Sequence, residues 1–489
     1  MIGRLFIILS LGCGCGYAKN VDRFSKGINE SSTGITAPKK ITLKQAELIA
    51  LEQAPALGRA DFDSQAAKQG IIEARSRFFP QVEGDVTAVG TSSASIRIGA
   101  SGGLNNPTIL SREANGINAS QLIFDFGRAA NLTAGAKFQA LSEVQQEQMV
   151  RAQVLLRVDR TYFSVLKAQA LLRVANQTVA ARQVVYDEIA ALAESKLKSD
   201  LDVTYAKVNL EQAKQLVLEA ENALGVANAE LSDAMGFGEL HSFTLRDEPQ
   251  FPFPREDVGS LIATARDIRP EIVALRDRVK AFERQAIAEK DARFPRIDAL
   301  GSVGRTTIGP SSVQGNYAAA GINVAIPLFT GGLLSARQRE AMLQASAEKK
   351  SFQEEEDQVV KEVNCAWFDA SSALKNIDVA NLLAATAGQA LELAKAQYQT
   401  GQTSIIEYSQ AQLNALQAEI AAASAKYDYQ IDRVQLEYQT GTLSLGTPGV
   451  IGPGGTFESR PKWELTRGRG RNEDRRTPDQ NLQIVNPNP

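Results

Sequence analysis

The sequence is poor in the residues that usually build catalytic or metal sites. Among 489 residues it has one histidine and three cysteines, and aromatic residues make up 6%. Cys365 lies within a predicted helix, where we expect a small buried side chain rather than a nucleophile. The sequence has no His and Cys residues at the spacing of metal ligands. It also has no phosphate-binding loop and no nucleophile with a partner base. We therefore predict that the chain is not an enzyme and that it has neither a cofactor nor a metal site.

Long apolar runs are also missing. Beyond the first 18 residues, no stretch of about 18 apolar residues occurs, which excludes a membrane-spanning helix. A chain of this kind can enter a membrane only as strands of a closed β-barrel. The formal net charge is −3, so the overall charge gives no reason to expect a nucleic-acid partner.

Residues 1–18 have the composition of an export signal. Arg4 precedes a short apolar core, and small residues lead up to Ala18, so we expect cleavage after Ala18. The residues before Cys13 partly match a lipoprotein site, although Ser10 stands where an aliphatic residue is wanted. Lipidation of Cys13 therefore remains an alternative.

The chain contains one pattern twice. Two prolines 25 residues apart introduce each copy, and they are Pro55 and Pro80 in the first half and Pro270 and Pro295 in the second. Further on, 78 residues separate Phe124 from Asp202, and 78 also separate Phe329 from Glu407. Because motif, order and spacing all recur, we infer an internal duplication.

Four extended segments alternate between apolar and polar residues. They are 81–93, 116–126, 295–305 and 316–329, with turn-rich stretches at 94–115 and 306–315. Each segment has about the 9–11 residues that a tilted membrane-spanning strand needs. A soluble, half-buried sheet accounts for the alternation equally well. Four strands cannot enclose a pore, whereas a trimer would supply twelve.

The helical segments are too long for a compact domain. From Gly127 to about Lys196 the sequence has no proline, which predicts a helix of about 70 residues and about 105 Å. Such a rod must pack along its length against similar rods. The returning helix carries a heptad seam from Ala206 to Ala234, and the segment after Ala411 carries two adjacent seams. Two seams suit the wall of a helical barrel, although a plain bundle or coiled coil remains an alternative.

Two motifs resemble those of the outer membrane efflux protein family, the TolC-like channels. They are Tyr398–Gln412 (YQTGQTSIIEYSQAQ) and Pro327–Gly332 (PLFTGG). The resemblance covers about residues 41 to 443. It implies a mainly α fold with β, in which long antiparallel helical hairpins form an α-barrel. Four strands per protomer would contribute to a trimeric 12-stranded β-barrel in the outer membrane, and short helices at about 43–78 and 257–293 would form a belt.

The resemblance also implies a function and partners. The homotrimer would contact outer-membrane lipid and extend into the periplasm of a Gram-negative cell. It would be the passive exit duct of a tripartite efflux or type I secretion system, docking to a periplasmic adaptor (membrane fusion) protein and an inner-membrane transporter. The alternative is a structural or adaptor-like periplasmic coiled coil that forms no pore. The paired strand segments favour the duct.

The helical turns would form the periplasmic entrance, and the resemblance assigns residues to it. Tyr398 matches a tyrosine that bonds the aspartate at Asp202, and Glu407 matches an acidic ring position. Three copies of Glu407, with Asp200 and Asp202 nearby, would concentrate negative potential at a narrow opening. That potential would favour cationic or neutral cargo. As an alternative, Asp202 only caps its helix and Asp200 is only solvated.

This sequence departs from the family pattern at three entrance positions. Gln410 stands where some members have a second ring aspartate, and Thr403 stands where some have a linking arginine. A double acidic ring and an arginine latch are therefore not expected. Gly401 is the turn glycine of the second half, and Lys196 replaces it in the first.

These observations divide the chain into six segments. They are a signal peptide 1–18, a flexible segment 19–40, a first repeat 41–240, a linker 241–256, a second repeat 257–443 and a disordered periplasmic tail 444–489.

Overall fold

The computed structural model describes residues 40–89, 112–308 and 315–444, all within one compact unit, Met1–Gly449. The described elements are α1 (Leu43–Gln53), α2 (Pro55–Ser76), β1 (Gln81–Val89), β2 (Arg112–Phe124), α3 (Arg128–Glu194), α4 (Asp200–Ala234), α5 (Val258–Ile268), α6 (Pro270–Asp291), β3 (Arg296–Ile308), β4 (Gly315–Ala325), α7 (Leu333–Gln399) and α8 (Ile405–Thr440). The predicted signal peptide with Cys13, and nearly all of the predicted flexible segment and tail, lie outside the described residues.

The second half of the chain repeats the element order of the first. The helices of the first half have 11, 22, 67 and 35 residues, and those of the second have 11, 22, 67 and 36. In each half a proline, Pro55 or Pro270, occupies the first turn of the second short helix. Proline suits this position because its missing N–H would have no helical partner there. The same break therefore separates both pairs of short helices.

The long helices form antiparallel hairpins, as predicted. α3 and α7 are each about 100 Å long, and they pack against α4 and α8 respectively. Seven positions of the predicted seam from Ala206 to Ala234 on α4 are buried: Ala206, Leu210, Ala213, Ala220, Ala227, Leu231 and Ala234. In the described part of the chain, no helix combines the length and apolar character needed to cross a membrane.

Cys365 is exposed on α7, so the prediction of a buried cysteine is wrong. Its neighbours Val363, Ala366 and Ala370 are the residues that face the core. Each residue turns a helix by about 100°, so Cys365 is rotated away from that face.

The four strands form one antiparallel sheet in the order β1-β2-β3-β4, with some bounds that differ from the prediction. β2 begins at Arg112 rather than 116, because it continues to pair with the end of β1. β3 extends to Ile308. β4 ends at Ala325 rather than 329, because Ala325 already pairs with the first residue of β3 and Pro327 has no N–H for a ladder hydrogen bond.

The sheet is poorly covered within one chain. All eleven residues of β4 are exposed, including Ile322 at 75%. Among the described strands, β1 and β4 each pair along one edge, which leaves their outer edges open. Open strand edges with exposed apolar residues of this kind are suited to pairing with further strands.

The largest described core lies where α1 and residues 241–256 pack on α3, α4 and α8. Tyr162 and Phe163 of α3 are fully buried there. Ile41 forms a parallel bridge with Leu245, and the Tyr162 hydroxyl donates to the Arg246 carbonyl at 2.6 Å. This core fixes the short helix α1 against the middle of the long helices.

Candidate functional site

The candidate site lies at the turns that end the two long hairpins, residues 195–199 and 400–404, together with the adjoining ends of α3, α4, α7 and α8. We call this region the tip. In each turn a serine caps the returning helix. Ser199 accepts from the Asp202 backbone N–H, and Ser404 accepts from that of Glu407. Asp202 and Glu407 therefore occupy the same position in the two halves, three residues after the cap. A carboxylate in the first turn is stabilised by the helix dipole.

The two turns have the same backbone path but different residues at its left-handed position. Lys196 has a φ of 57° and Gly401 a φ of 75°. The residue that follows each donates its N–H back into the preceding helix, from Leu197 to Leu192 and from Gln402 to Gln397. Lysine at this position carries strain that glycine avoids.

Tyr398 is the centre of the tip. Its side chain is only 5% exposed, and its ring stacks on Tyr408 with 5.3 Å between centroids and an interplanar angle of 13°. Lys198 reaches across from the other turn, with Nζ 3.7 Å from the Tyr398 ring centre. The same ammonium donates to the Tyr398 carbonyl at 3.1 Å. Through Lys198, the first hairpin is held to the second.

Asp202 takes part in a reciprocal cap with Ser199. Its Oδ2 accepts from the Ser199 backbone N–H at 3.0 Å and from the Ser199 hydroxyl at 2.7 Å. Burial alone would raise the pKa of Asp202, but these hydrogen bonds, with Tyr398 and Lys198 nearby, hold that pKa below its ordinary value. Asp202 is thus kept ionised at the tip.

The Tyr398 hydroxyl is buried beside Asp202. Within the described residues it has no partner of good hydrogen-bond geometry. Burial, followed by the Asp202 charge, raises the pKa of Tyr398. The hydroxyl therefore stays protonated and faces the carboxylate. The structure brings this predicted pair together.

The remaining predicted residues lie on the exposed side of the tip. The Thr403 hydroxyl donates to the Glu407 carboxylate, which is exposed in the first turn of α8. Asp200 is exposed at the start of α4. Gln410 is exposed and donates to Asn414 at 2.9 Å. Thr403 therefore orients Glu407, whereas Gln410 bonds to a residue of its own helix.

Two residues at or near the tip were missed by sequence reasoning. The sequence around Lys198 did not indicate a role for it, because its contact with Tyr398 forms only when the two hairpins lie side by side. Arg182 is buried on α3, and burial lowers its pKa. It follows Ala175 and Thr178 at heptad spacing, so a charged residue in a buried seam is a signal that the sequence did contain.

No group of three or more His, Cys, Asp or Glu side chains that could hold a metal ion occurs among residues 40–89, 112–308 and 315–444.

Twin helical hairpins carrying one four-stranded sheet define the TolC-like channel fold. Solved structures of CusC and of the open-state MtrE channel of Neisseria gonorrhoeae share it, with TM-scores of 0.72 and 0.68. Each is 20% identical to this chain and covers 82% of it, and the similarity extends over 92% and 91% of their own chains.

The family model described as outer membrane efflux protein matches residues 49–237 and 261–442, and the chain belongs to that family. Similar proteins include TolC of Salmonella enteritidis, 23% identical over 82% of this chain and 84% of its own. OprJ of Pseudomonas aeruginosa is 24% identical over 89% of this chain and 94% of its own.

Family membership confirms the predicted fold class, the outer-membrane location and the exit duct. It excludes the alternative of a periplasmic coiled-coil protein that forms no pore. The family is one of channel and transport proteins.

Proposed function

We propose that three copies of this chain assemble into a passive duct whose periplasmic entrance is held shut by the tip. Twelve strands from three sheets would close the open edges of β1 and β4. Leu413 of α8, which is 43% exposed, would pack against a neighbouring copy. The repeats 41–240 and 257–443 would each supply one hairpin to the tunnel wall.

The observation that best supports this closure is the buried Tyr398 hydroxyl beside the ionised Asp202. Lys198 holds the ring from the other turn, so Tyr398, Asp202 and Lys198 join the two hairpins of one copy. A duct opens when neighbouring hairpins separate at the narrow end. A contact that ties hairpins together there opposes that separation.

We further propose that the tip is where a periplasmic adaptor and an inner-membrane transporter dock. TolC-like relatives are named as outer-membrane and efflux proteins, and CusC is named as part of a cation efflux system. The acids Asp200, Asp202 and Glu407 favour cationic or neutral cargo over anionic cargo at the opening.

Conductance in a planar bilayer tests this proposal. We expect the purified trimer to conduct, and Tyr398→Phe with Asp202→Ala to raise its conductance. The control is Asp187→Ala, which removes an exposed aspartate of α3. A silent, monomeric preparation would count against the duct. A conducting trimer with unchanged conductance in the first variant would remove only the closure assignment.

A further inference from the structure

A positive charge is buried between α3 and α8, about 20 Å along α3 from the turn 195–199. It belongs to Arg182, which is 9% exposed. An arginine side chain stays charged in proteins because its pKa lies above about 12. Charged side chains are almost never fully buried unless they are paired, so the partners of Arg182 decide whether it stabilises this interface.

The pairing of Arg182 is incomplete. Its Nη1 atom is buried, and within residues 40–89, 112–308 and 315–444 no acceptor forms a hydrogen bond with it. The groups that favour its charge lie on α8 and are the Tyr408 hydroxyl and the exposed Glu419 carboxylate. An exposed carboxylate is screened by water, so its attraction is weak. Burial has the largest influence on Arg182 and lowers its pKa, which means that the charged form is less stable here than in water.

Arg182 stands in a seam whose other buried side chains are uncharged. On α3 these are Ala175, Thr178 and Ile189, and on α8 they are Tyr408, Gln412 and Ala415. The repeated helix α7 has the same length as α3 and begins 205 residues after it. At the same offset from Arg182 it has Ala387. A helix of this length therefore forms without an arginine at this position, and the charge is not needed to build the rod.

The contacts that favour closure lie beside this charge. Tyr408, which faces Arg182, stacks on Tyr398. Lys198 lies over the Tyr398 ring and donates to the Tyr398 carbonyl. The two cations therefore act in opposite directions. Lys198 gains partners when the two hairpins meet, whereas Arg182 loses water there without gaining a full set of hydrogen bonds.

We propose that Arg182 opposes closure of the tip, and that its charge keeps the closed state only slightly more stable than the open one. This inference rests on the closure proposed above. In the open state the ends of α3 and α8 nearest the turns separate, and water solvates the guanidinium. In the closed state Nη1 is buried again. The charge thus lowers the work that a docking partner must supply to open the entrance.

The proposal fixes the direction in which a substitution acts. Replacing a buried, poorly paired charge by an apolar side chain of similar length stabilises the state that buries it. We therefore expect Arg182→Met to shift the tip toward the closed state by at least about fivefold. Arg182→Lys, whose ammonium also loses hydration on burial, should stay close to the native balance. If the arginine instead held the hairpins together, Arg182→Met would loosen the tip.

Two measurements on the full-length trimer test the proposal. In a planar bilayer, Arg182→Met should lower the open fraction at least about fivefold. Hydrogen exchange of the peptide 405–415 is the second readout, and its protection should rise in Arg182→Met because closure covers the start of α8. The matched control is Arg173→Met, which removes an exposed arginine from the same helix and should leave both readouts at their native values.

Three results would overturn the proposal. The first is an open fraction of Arg182→Met equal to or above that of the native trimer, and the second is protection of 405–415 that does not rise. The third is poor assembly of Arg182→Met beside normal assembly of Arg173→Met, which would show that the arginine stabilises the interface. A silent native trimer, or unchanged conductance in Tyr398→Phe with Asp202→Ala, would instead remove the proposed closure. The exchange measurement then still decides whether Arg182 destabilises the packed interface.

Discussion

At the scale of single residues, the two turns of the tip place different residues in the same backbone conformation. Lys196 and Gly401 both have a positive φ and end helices of equal length. A residue with a side chain in the left-handed backbone region is destabilised by roughly 1–2 kcal/mol, and glycine, which has no Cβ, avoids this destabilisation. It is Lys198, not Lys196, that contacts Tyr398. In the described structure, no side-chain contact of Lys196 offsets its backbone strain.

We predict that Lys196→Gly strengthens the first turn and that Gly401→Ala weakens the second. The expected change is about 1 kcal/mol in each direction, or about fivefold in the local opening equilibrium. Hydrogen exchange of peptides covering 193–199 and 398–404 measures it. Gly388→Ala in the interior of α7 is the control, since a Cβ there meets nothing within 4 Å and its φ is helical. Equal protection of the turn in Lys196→Gly and the native chain would contradict the strain argument.

Residue roles at the tip were predictable only in part. The juxtaposition of Tyr398 and Asp202 was expected from family resemblance, and it required no knowledge of packing. Lys198 and Tyr408 were not expected, because a ring stack and an ammonium above a ring depend on the distance between two hairpins. The buried acids Glu47, Asp159 and Glu437 were missed for the same reason: they are about 110 and 280 residues apart in sequence, and each alone resembles a solvated helix residue.

At the scale of elements, the sheet depends on glycines that lie beneath an aromatic ring. Tyr317 of β4 pairs with Gly304 of β3, which pairs with Gly116 of β2. A Cβ at either glycine would collide with the Tyr317 hydroxyl, and at Gly304 also with the Asn115 carbonyl. An aromatic ring that covers strand glycines fixes register, because a shift of one residue would place it over a side chain.

We predict that Gly304→Ala destabilises the sheet by about 1–3 kcal/mol, since the backbone carbonyl cannot move aside as a side chain could. The readout is the temperature at which the trimer dissociates on a gel, which should fall. Gly84→Ala and Gly321→Ala are controls on β1 and β4, where nothing lies within 4 Å of an added Cβ. If Gly304→Ala and the controls dissociate at the same temperature, the glycine contact does not support the assembly.

Element type and order followed from local signals, whereas element ends did not. The proline-free run after Gly127 predicted α3 to within a few residues, because nothing else could interrupt the helix. The strands were predicted from alternation, but β2 begins earlier and β4 ends earlier than expected. The start of β2 is set by its pairing with the end of β1, which the residues at that start do not reveal, whereas Pro327 was a local signal for the end of β4.

At the scale of the whole molecule, duplication places an acid at the same position of each hairpin, Asp202 and Glu407, and the fold brings the two turns together. Asp202 is held by its cap and by the Lys198 charge, so its negative charge is partly compensated. Glu407 has no such cation in the described structure and accepts a hydroxyl hydrogen bond from Thr403. Of the two acids, Glu407 therefore supplies more of the potential at the proposed opening.

We predict that Glu407→Gln reduces the preference of the duct for cations more than Asp202→Asn does. Three copies lose three charges in either variant, but at Glu407 each lost charge is uncompensated, and charges at a narrow opening act strongly on passing ions. Reversal potentials across a bilayer with a tenfold KCl gradient measure the preference, and Glu230→Gln, an exposed acid on α4, is the matched control. The difference should shrink at high salt because screening shortens the reach of the charge. Equal reversal potentials for Glu407→Gln and Glu230→Gln, at unchanged conductance, would place the selective charge elsewhere than at Glu407.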